Sequence, residues 1–143
     1  GANAGSWELD NESGKLITNE IWATLLGYSP QQLTDLYGYS IEKLSQLVHP
    51  DDLVMARTAF VQHLKGFTDI YRVELRMKSH SGGWKWVLVV GKQVQQKVFG
   101  ILLDISEHKA MEMALLDAKE KGMLDGHGGL LKIERMDRTG LVG

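Results

Sequence analysis

The sequence predicts an α+β fold, in which a five-stranded antiparallel sheet carries helices on one face and a C-terminal helix leaves the last strand. Two observations support this prediction. Residues 71–78 alternate apolar and charged side chains, and residues 84–90 resume the alternation after a glycine-containing turn. Such alternation is typical of strands with one buried face. In the middle of the chain apolar residues recur at helical spacing, so we expect helices there.

The N-terminal segment predicts a hairpin followed by a short helix. Residues 6–10 and 15–19 read as two short strands, and the polar residues 11–14 between them favour a turn. Apolar residues then recur at helical offsets within 21–26, and Gly27 is placed to end that helix.

Three further helix starts can be read from capping residues. Ser29 precedes Pro30, and Gln32 stands where the partner of a capping box belongs. Ser40 is placed to cap a helix over 41–48. Pro50 disfavours helix at the preceding residue, so a long helix should begin there, end at Gly66 and cover the sheet.

The sequence does not predict the geometry of one connection between the C-terminal strands. A third apolar run, residues 98–106, passes directly into a charged helical segment at 107–121. The connection 93–97 contains no Gly, Pro or Asn, although a tight hairpin usually has one, so its geometry is not predicted.

The alternation in the central hairpin also predicts a register. We expect Trp86, Leu88 and Val90 to face the helices and Lys85 to face solvent.

Composition excludes several classes of function. A formal net charge of −2 and a pI near 6.2 leave no basic excess for a nucleic-acid surface. The chain has no cysteine, which excludes disulfides and thiolate metal sites and fits a reducing compartment. The longest apolar run, 86–90, is too short to cross a bilayer.

Four strings occur in an order that resembles a PAS domain with its C-terminal PAC part. They are GYSPQQL at 27–33, HPDD at 49–52, GGWKWV at 82–87 and GILLDISEHK at 100–109. The resemblance implies a PAS/PAC domain over residues 6–106 and a C-terminal signalling helix over 107–121. Residues 122–143, with six glycines in 22 residues, remain a tail of unknown role.

The resemblance also implies a function. The chain would be a sensory or interaction module of a larger bacterial signalling protein of the histidine kinase or diguanylate cyclase type. It would transmit a signal through its C-terminal helix to a covalently linked output domain, form a homodimer, lie in the cytoplasm and lack catalytic activity itself. A membrane anchor in the parent protein is compatible with this. The alternative is a dimerisation module with a filled core and no ligand.

Six residues form the candidate pocket: Trp22, Phe60, His63, Tyr71, Trp86 and Ile101. The alternative is that they are ordinary core residues. Some PAS domains bind haem through a histidine on this helix, a role that would fall to His63. A cysteinyl-flavin adduct is excluded because the chain has no cysteine, and the cofactor, if one exists, is not identified.

Five residues form the candidate signalling and dimer segment. Ser106 is placed to cap the last helix, and Asp104 lies near its positive end. Met111, Leu115 and Ala118 recur at the four-and-three spacing of a coiled-coil seam. The alternative is that this stripe packs back on its own sheet.

The string DGHGG at 125–129 resembles the metal-binding motif of a phosphatase family. That motif requires further acidic ligands from a much larger domain, so we interpret it as part of a glycine-rich tail.

Overall fold

The computed structural model describes residues 4–122. Five strands and five helices follow one another in this part of the chain. They are β1 (Gly5–Asp10), β2 (Leu16–Thr18), α1 (Glu20–Leu25), α2 (Pro30–Tyr37), α3 (Ile41–Leu44), α4 (Pro50–Leu64), β3 (Tyr71–Lys78), β4 (Trp84–Val94), β5 (Lys97–Asp104) and α5 (Ser106–Glu120). A first compact unit ends at Ser106 and contains the sheet with α1 to α4, and a second begins at Glu107 and contains the rest of α5.

The strands form one five-stranded sheet in the order β2-β1-β5-β4-β3, and each neighbouring pair is antiparallel. The predicted α+β fold class is therefore confirmed. The core lies between one face of the sheet and the helices that follow β2 and precede β3. Leu26, Leu47, Val87, Val98 and Leu102 are its most deeply buried large side chains.

The predicted helix starts occur where the capping residues stand. Ser29 and Gln32 form a reciprocal capping box at α2. Ser40 caps α3, but this helix is shorter than the predicted 41–48, because the chain tightens into a 3₁₀ turn at Ser45–Leu47. His49 precedes Pro50 and accepts the backbone N–H of Asp51 through Nδ1, so α4 starts with a histidine cap.

The start of α4 protects the edge strand β3. The backbone N–H of His49 donates to the carbonyl oxygen of Arg76 at 2.9 Å, and a carboxylate oxygen of Asp52 accepts the backbone N–H of Arg76 at 2.8 Å. An exposed strand edge is a template for pairing with other chains, and these bonds occupy part of it.

The connection between β4 and β5 is a two-residue turn at Gln95 and Gln96. Val94 pairs with Lys97 across it, and Gln95 has a φ of +58°. Among residues 4–122, Gln95 is the one residue other than glycine with a positive φ. The tight hairpin therefore forms without the glycine or asparagine that this geometry favours.

The predicted register of the central hairpin is wrong. Lys78 pairs with Trp84 across a five-residue loop, so odd-numbered residues of β3 oppose odd-numbered residues of β4. Tyr71 and Leu75 face the helices, and Val87 therefore does so too. Lys85 lies on this helix-facing side, whereas Trp86, Leu88 and Val90 point to the opposite face, where Leu88 is buried outside the main core.

Candidate functional site

A cavity of about 470 Å³ lies between the sheet and the helices α3 and α4. Side chains from all five strands form its floor, and most of these are apolar. They include Trp7, Leu9, Leu16, Leu75, Met77, Val89 and Leu102. The alternation of each strand directs these residues to the same side, which is why the floor is continuous.

The floor is shaped by Trp7 lying across two glycines. Trp7 pairs with Gly100 on β5, and Gly100 pairs with Gly91 on β4. A Cβ atom at Gly91 would lie 2.6 Å from Cη2 of Trp7, and one at Gly100 would contact both the Trp7 ring and the carbonyl oxygen of Val90. The indole can lie against the sheet only because both positions lack a side chain. Its Nε1 donates to the carbonyl oxygen of Ile101 at 3.1 Å.

Tyr71 connects the sheet, which forms the floor of the cavity, to the helix α4 above it. Its hydroxyl donates to the carbonyl oxygen of Ala56 on α4 at 3.2 Å, and its ring meets Phe60 edge to face with centroids 5.1 Å apart. Burial raises the pKa of the Tyr71 hydroxyl to about 12, so this group keeps its proton well above physiological pH. Tyr71 thus holds α4 at a fixed distance from the sheet.

Trp22 forms part of the cavity wall from α1. Asn19 caps this helix by accepting the backbone N–H of Trp22 through Oδ1, which places the indole at the start of the helix. Trp22 is 4% exposed, and its Nε1 has no hydrogen-bond acceptor among the described residues. A buried N–H group without an acceptor is uncommon in folded proteins.

The rim of the cavity lies between α3 and α4. Four exposed residues line it there: Ile41 and Glu42 on α3, and Arg57 and Val61 on α4. Within residues 4–122, Glu42 and Arg57 are the charged side chains that line the cavity, so its interior is apolar.

The structure brings three of the six predicted pocket residues together. Trp22, Phe60 and Tyr71 line the cavity, whereas His63, Trp86 and Ile101 do not. Trp86 lies on the other face of the sheet, where the Arg76 guanidinium stands 5.2 Å from its ring centroid. Ile101 also points to that face, because Leu102 on β5 points inward.

His63 is buried, but it serves as a structural link between α4 and β4. Its Nε2 accepts the backbone N–H of Gln93 at 2.9 Å, so the ring proton is on Nδ1, which donates to the carbonyl oxygen of Thr68 at 3.0 Å. Both ring nitrogens are occupied by backbone groups, and neither is available to ligate haem iron in this arrangement.

The sequence did not predict the residues of α3 and early α4 that form the roof and rim. Leu44 and Ala56 are buried and line the cavity, and Arg57 lies at its rim. The helical spacing of the apolar residues 41, 44, 56 and 60 indicates that they face the core, but it does not distinguish a cavity wall from a filled core.

The end of the sheet contains a hydrogen-bonded group that includes two of the predicted signalling residues. Lys85 Nζ donates to the carbonyl oxygen of Leu25, near the end of α1, at 2.8 Å and lies 3.2 Å from Oδ2 of Asp104. The other carboxylate oxygen of Asp104 accepts the backbone N–H of Ser106 at 2.9 Å. Burial opposes ionisation of Asp104, but the bonds from Ser106 and Lys85 hold the pKa of its carboxyl below its usual value.

The helix α5 carries an exposed apolar stripe. Met111 is 64% exposed and Leu115 is 55% exposed, Ala118 follows at the next turn, and no residue of α5 is buried. Outside this stripe, Lys109 and Glu112 form an ion pair in which Nζ of Lys109 lies 2.9 Å from Oε1 of Glu112.

Other classes of site are not formed by the described residues. Within residues 4–122, no group of three or more His, Asp and Glu side chains is placed to hold a metal ion. None of the described helices is long and apolar enough to span a bilayer. The DGHGG string at 125–129 lies outside the described residues.

Comparison with known proteins identifies the family. The sequence profile of the PAS fold family matches residues 15–100. A curated relative, hybrid signal transduction histidine kinase A of Dictyostelium discoideum, is 24% identical over 129 residues, which is 82% of this chain but 6% of that protein. The chain thus corresponds to a small part of this relative.

Solved structures show the same fold. A sensory box histidine kinase/response regulator from Burkholderia thailandensis E264 has a TM-score of 0.73 and 25% identity, over 84% of this chain and 90% of that one. The PAS domain of the quorum-sensing receptor RpfR from Cronobacter turicensis, solved in complex with BDSF, has a TM-score of 0.55 and 20% identity, over 73% of this chain and 96% of that one. The chain belongs to the PAS fold family and is a sensory domain of signal transduction.

Proposed function

We propose that this domain detects a small molecule in the cavity and passes the signal through α5 to an output domain elsewhere in a larger protein. The observation that carries the proposal is the apolar cavity of about 470 Å³ inside the core. Protein cores are close-packed and contain few voids larger than a water molecule. A cavity of this size lies within the range of about 300–1,000 Å³ typical of small-molecule sites.

The relatives support a kinase-type output. Both the Dictyostelium discoideum relative and the Burkholderia thailandensis structure are named as histidine kinases, and the PAS domain of the RpfR receptor was solved in complex with BDSF. We assign no catalysis to the chain itself and place it in the cytoplasm, a compartment that suits a chain without cysteine.

The group around Lys85 is the proposed route of the signal. Lys85 donates a hydrogen bond to the carbonyl oxygen of Leu25 at the end of α1, the helix that contributes Trp22 to the cavity. Lys85 also pairs with Asp104, whose carboxylate accepts the backbone N–H of Ser106, the first residue of α5. A ligand that shifts α1 would change these bonds. One residue, Ile105, separates the end of β5 from the start of α5.

A homodimer through the α5 seam is the proposed assembly. Met111, Leu115 and Ala118 follow coiled-coil spacing and lie off the charged positions of the helix. The exposed apolar side chains also favour the second candidate function, a dimerisation module without a ligand.

Native mass spectrometry and absorption spectroscopy of the purified protein test the proposal. We expect a bound small molecule, and we expect Ala56→Phe to abolish its retention because a ring at this buried position enters the cavity. Thr58→Phe is the matched control, because Thr58 is exposed on the same helix. Ligand retention equal in both variants would contradict the cavity as the binding site. A wild-type protein that binds nothing but is dimeric would support the module without a ligand.

A further inference from the structure

The interior of the cavity offers a ligand no free ring donor among the described residues. Trp7 donates its Nε1 proton to the carbonyl oxygen of Ile101, and Tyr71 donates its hydroxyl proton to the carbonyl oxygen of Ala56. The Nε1 atom of Trp22 has essentially no accessible surface, so it does not face the cavity. A polar group of a ligand held in this interior would lose its hydration without meeting a free donor, which is unfavourable.

The two charged side chains at the rim have no protein partner. Glu42 on α3 and Arg57 on α4 both line the cavity and are exposed. Within residues 4–122, neither side chain forms an ion pair or a hydrogen bond, either with the other or with a third residue. The hydroxyl of Ser45, which also lines the rim, donates to the carbonyl oxygen of Glu42 at 2.7 Å.

The sequence around Arg57 explains why it has no partner on its own helix. Side chains three and four residues apart are neighbours on a helix, and these positions around Arg57 hold Leu53, Val54, Phe60 and Val61. A guanidinium group only donates hydrogen bonds, and a carboxylate only accepts them. The rim therefore presents one unpaired donor group on α4 and one unpaired acceptor group on α3.

The helices that carry these two groups are anchored to opposite edges of the sheet. The backbone N–H of Leu16 on β2 donates to the carbonyl oxygen of Tyr39, just before α3, at 2.7 Å. Asp52 on α4 pairs with Arg76 on β3. The strands β2 and β3 are the two edges of the sheet, so the rim lies between two separately held helices and a ligand end group there can approach both charges.

We propose that the ligand is an uncharged amphiphile with an apolar body in the cavity and one end group at the rim that both donates and accepts hydrogen bonds, such as a hydroxyl or a primary amide. This end group accepts from the Arg57 guanidinium and donates to the Glu42 carboxylate. A charged end group would be attracted by one of these side chains and repelled by the other. The inference rests on the proposed function, because it assumes that the cavity is the sensory site.

Three probes with the same naphthyl body test the end group by isothermal titration calorimetry. They are 2-naphthylacetamide, which is uncharged, 2-naphthylacetate, which is anionic, and 2-naphthylethylammonium, which is cationic. We expect wild-type protein to bind the amide about threefold more tightly than either charged probe. Each charged probe meets one like charge, and exposed charge pairs contribute little free energy.

Two rim variants should change the charge preference in opposite directions. Arg57→Met leaves Glu42 at the rim and should shift the affinity ratio about fivefold toward the ammonium probe, and Glu42→Gln should shift it about fivefold toward the carboxylate probe. Lys43→Met is the control, because Lys43 is exposed on α3 but does not line the cavity. It should leave the ratio within about twofold of wild type.

A second measurement gives the orientation without any variant. In wild-type protein with ¹³C-labelled methyl groups, the methylene next to the amide should show nuclear Overhauser effects to the methyl groups of Ile41 and Val61 at the rim. The naphthyl ring should show them to Val89 and Leu102 in the floor. The reverse pattern would overturn the orientation of the ligand.

The remaining outcomes separate the two proposals. A charge preference that responds to neither rim variant, or a charged probe that binds wild type more than about tenfold more tightly than the amide, overturns the ligand class and leaves the sensory cavity intact. A molecule retained by the purified protein that is charged or lacks a polar end also overturns the class. If no probe binds and the purified protein carries no small molecule, both the ligand class and the proposed sensory function fail.

Discussion

Asp52 and Arg76 form a two-pronged ion pair at the edge of the sheet. Arg76 donates from Nη2 to Oδ1 of Asp52 at 2.7 Å and from Nε to Oδ2 at 2.9 Å, and Oδ2 also accepts the backbone N–H of Arg76. The carboxylate therefore satisfies three donors from one residue. Asp52 is 8% exposed, so the pair is shielded more than a surface salt bridge.

Asp52→Ala should destabilise the protein by about 2–3 kcal/mol, because it leaves the Arg76 backbone N–H and guanidinium without their acceptor. Urea unfolding at pH 7 measures the change. Asp51→Ala is the control, because Asp51 is exposed and should cost less than about 1 kcal/mol through the helix dipole alone. Equal losses in both variants would contradict the special role of the pair.

The same pair predicts a pH dependence. The hydrogen bonds from Arg76 hold the pKa of Asp52 below its usual value, against the opposing effect of burial. A carboxyl with a lowered pKa in the folded state stabilises above its unfolded pKa of about 3.9 and loses that contribution as pH falls through the folded value. The difference between wild type and Asp52→Ala should therefore shrink below about pH 4. A constant difference down to pH 2 would contradict this.

Gln95→Asn should stabilise the protein by about 0.5 kcal/mol, since asparagine tolerates a positive φ better than glutamine does. Thermal melting measures the shift. Gln96→Asn changes the neighbouring turn residue, which lacks the positive φ, and should leave stability within about 0.3 kcal/mol of wild type. A stabilisation seen at both positions would point to a cause other than the backbone angle.

Leu115→Asp should convert the proposed dimer to a monomer while the first unit stays folded, because a charge within a coiled-coil seam is strongly unfavourable. Light scattering gives the mass and circular dichroism the melting curve. Leu116→Asp is matched in size and exposure but lies off the seam, so it should leave the mass unchanged. An unchanged dimer in Leu115→Asp, or unfolding without change of mass, would contradict the seam.

Lys85→Met should uncouple the cavity from α5 while costing no more than about 1 kcal/mol, because both partners of the Lys85 to Asp104 pair are about a third exposed. In hydrogen exchange, the exchange rate of the Ser106 amide should change when the small molecule retained in the cavity is removed from wild type, and not when it is removed from the variant. Lys92→Met is the control, since Lys92 also donates to a backbone carbonyl but pairs with residue 69. If the variant keeps the response, the signal takes another route.

The sequence was sufficient for the fold because local signals agreed with one another. The capping box at Ser29, the cap at Ser40 and the alternation in β3 each predicted what the structure contains. Register failed in β4 because residues 86–90 are apolar on both faces, so alternation cannot choose between them. The loop length fixes the choice, and it places Lys85 inward, where Leu25 and Asp104 receive its ammonium.

The same error limited the candidate site. Trp86 entered the predicted pocket because its strand was given the wrong face, and Ile101 entered it without any predicted face. The clean alternation of β3 placed Tyr71 on the helix-facing side, where it lines the cavity. His63 entered the predicted pocket as a candidate haem ligand, but sequence cannot show that both ring nitrogens meet backbone groups. A cavity depends on how well side chains that are distant in sequence fill the space between the sheet and the helices, so no local sequence pattern predicts it.

Gly91 and Gly100 affect the volume of the cavity although they do not line it, because the Trp7 ring in the cavity floor lies against them. A methyl group at Gly91 would clash with the Trp7 ring and crowd Val98, so the indole would have to move, although the identity of every residue that lines the cavity would be unchanged. Two relatives with identical cavity linings can therefore accept molecules of different size if they differ at position 91. The size of ligand that this fold accepts can therefore change through a substitution at a sheet residue that does not itself line the cavity. A comparison of cavity-lining residues alone would miss such a change.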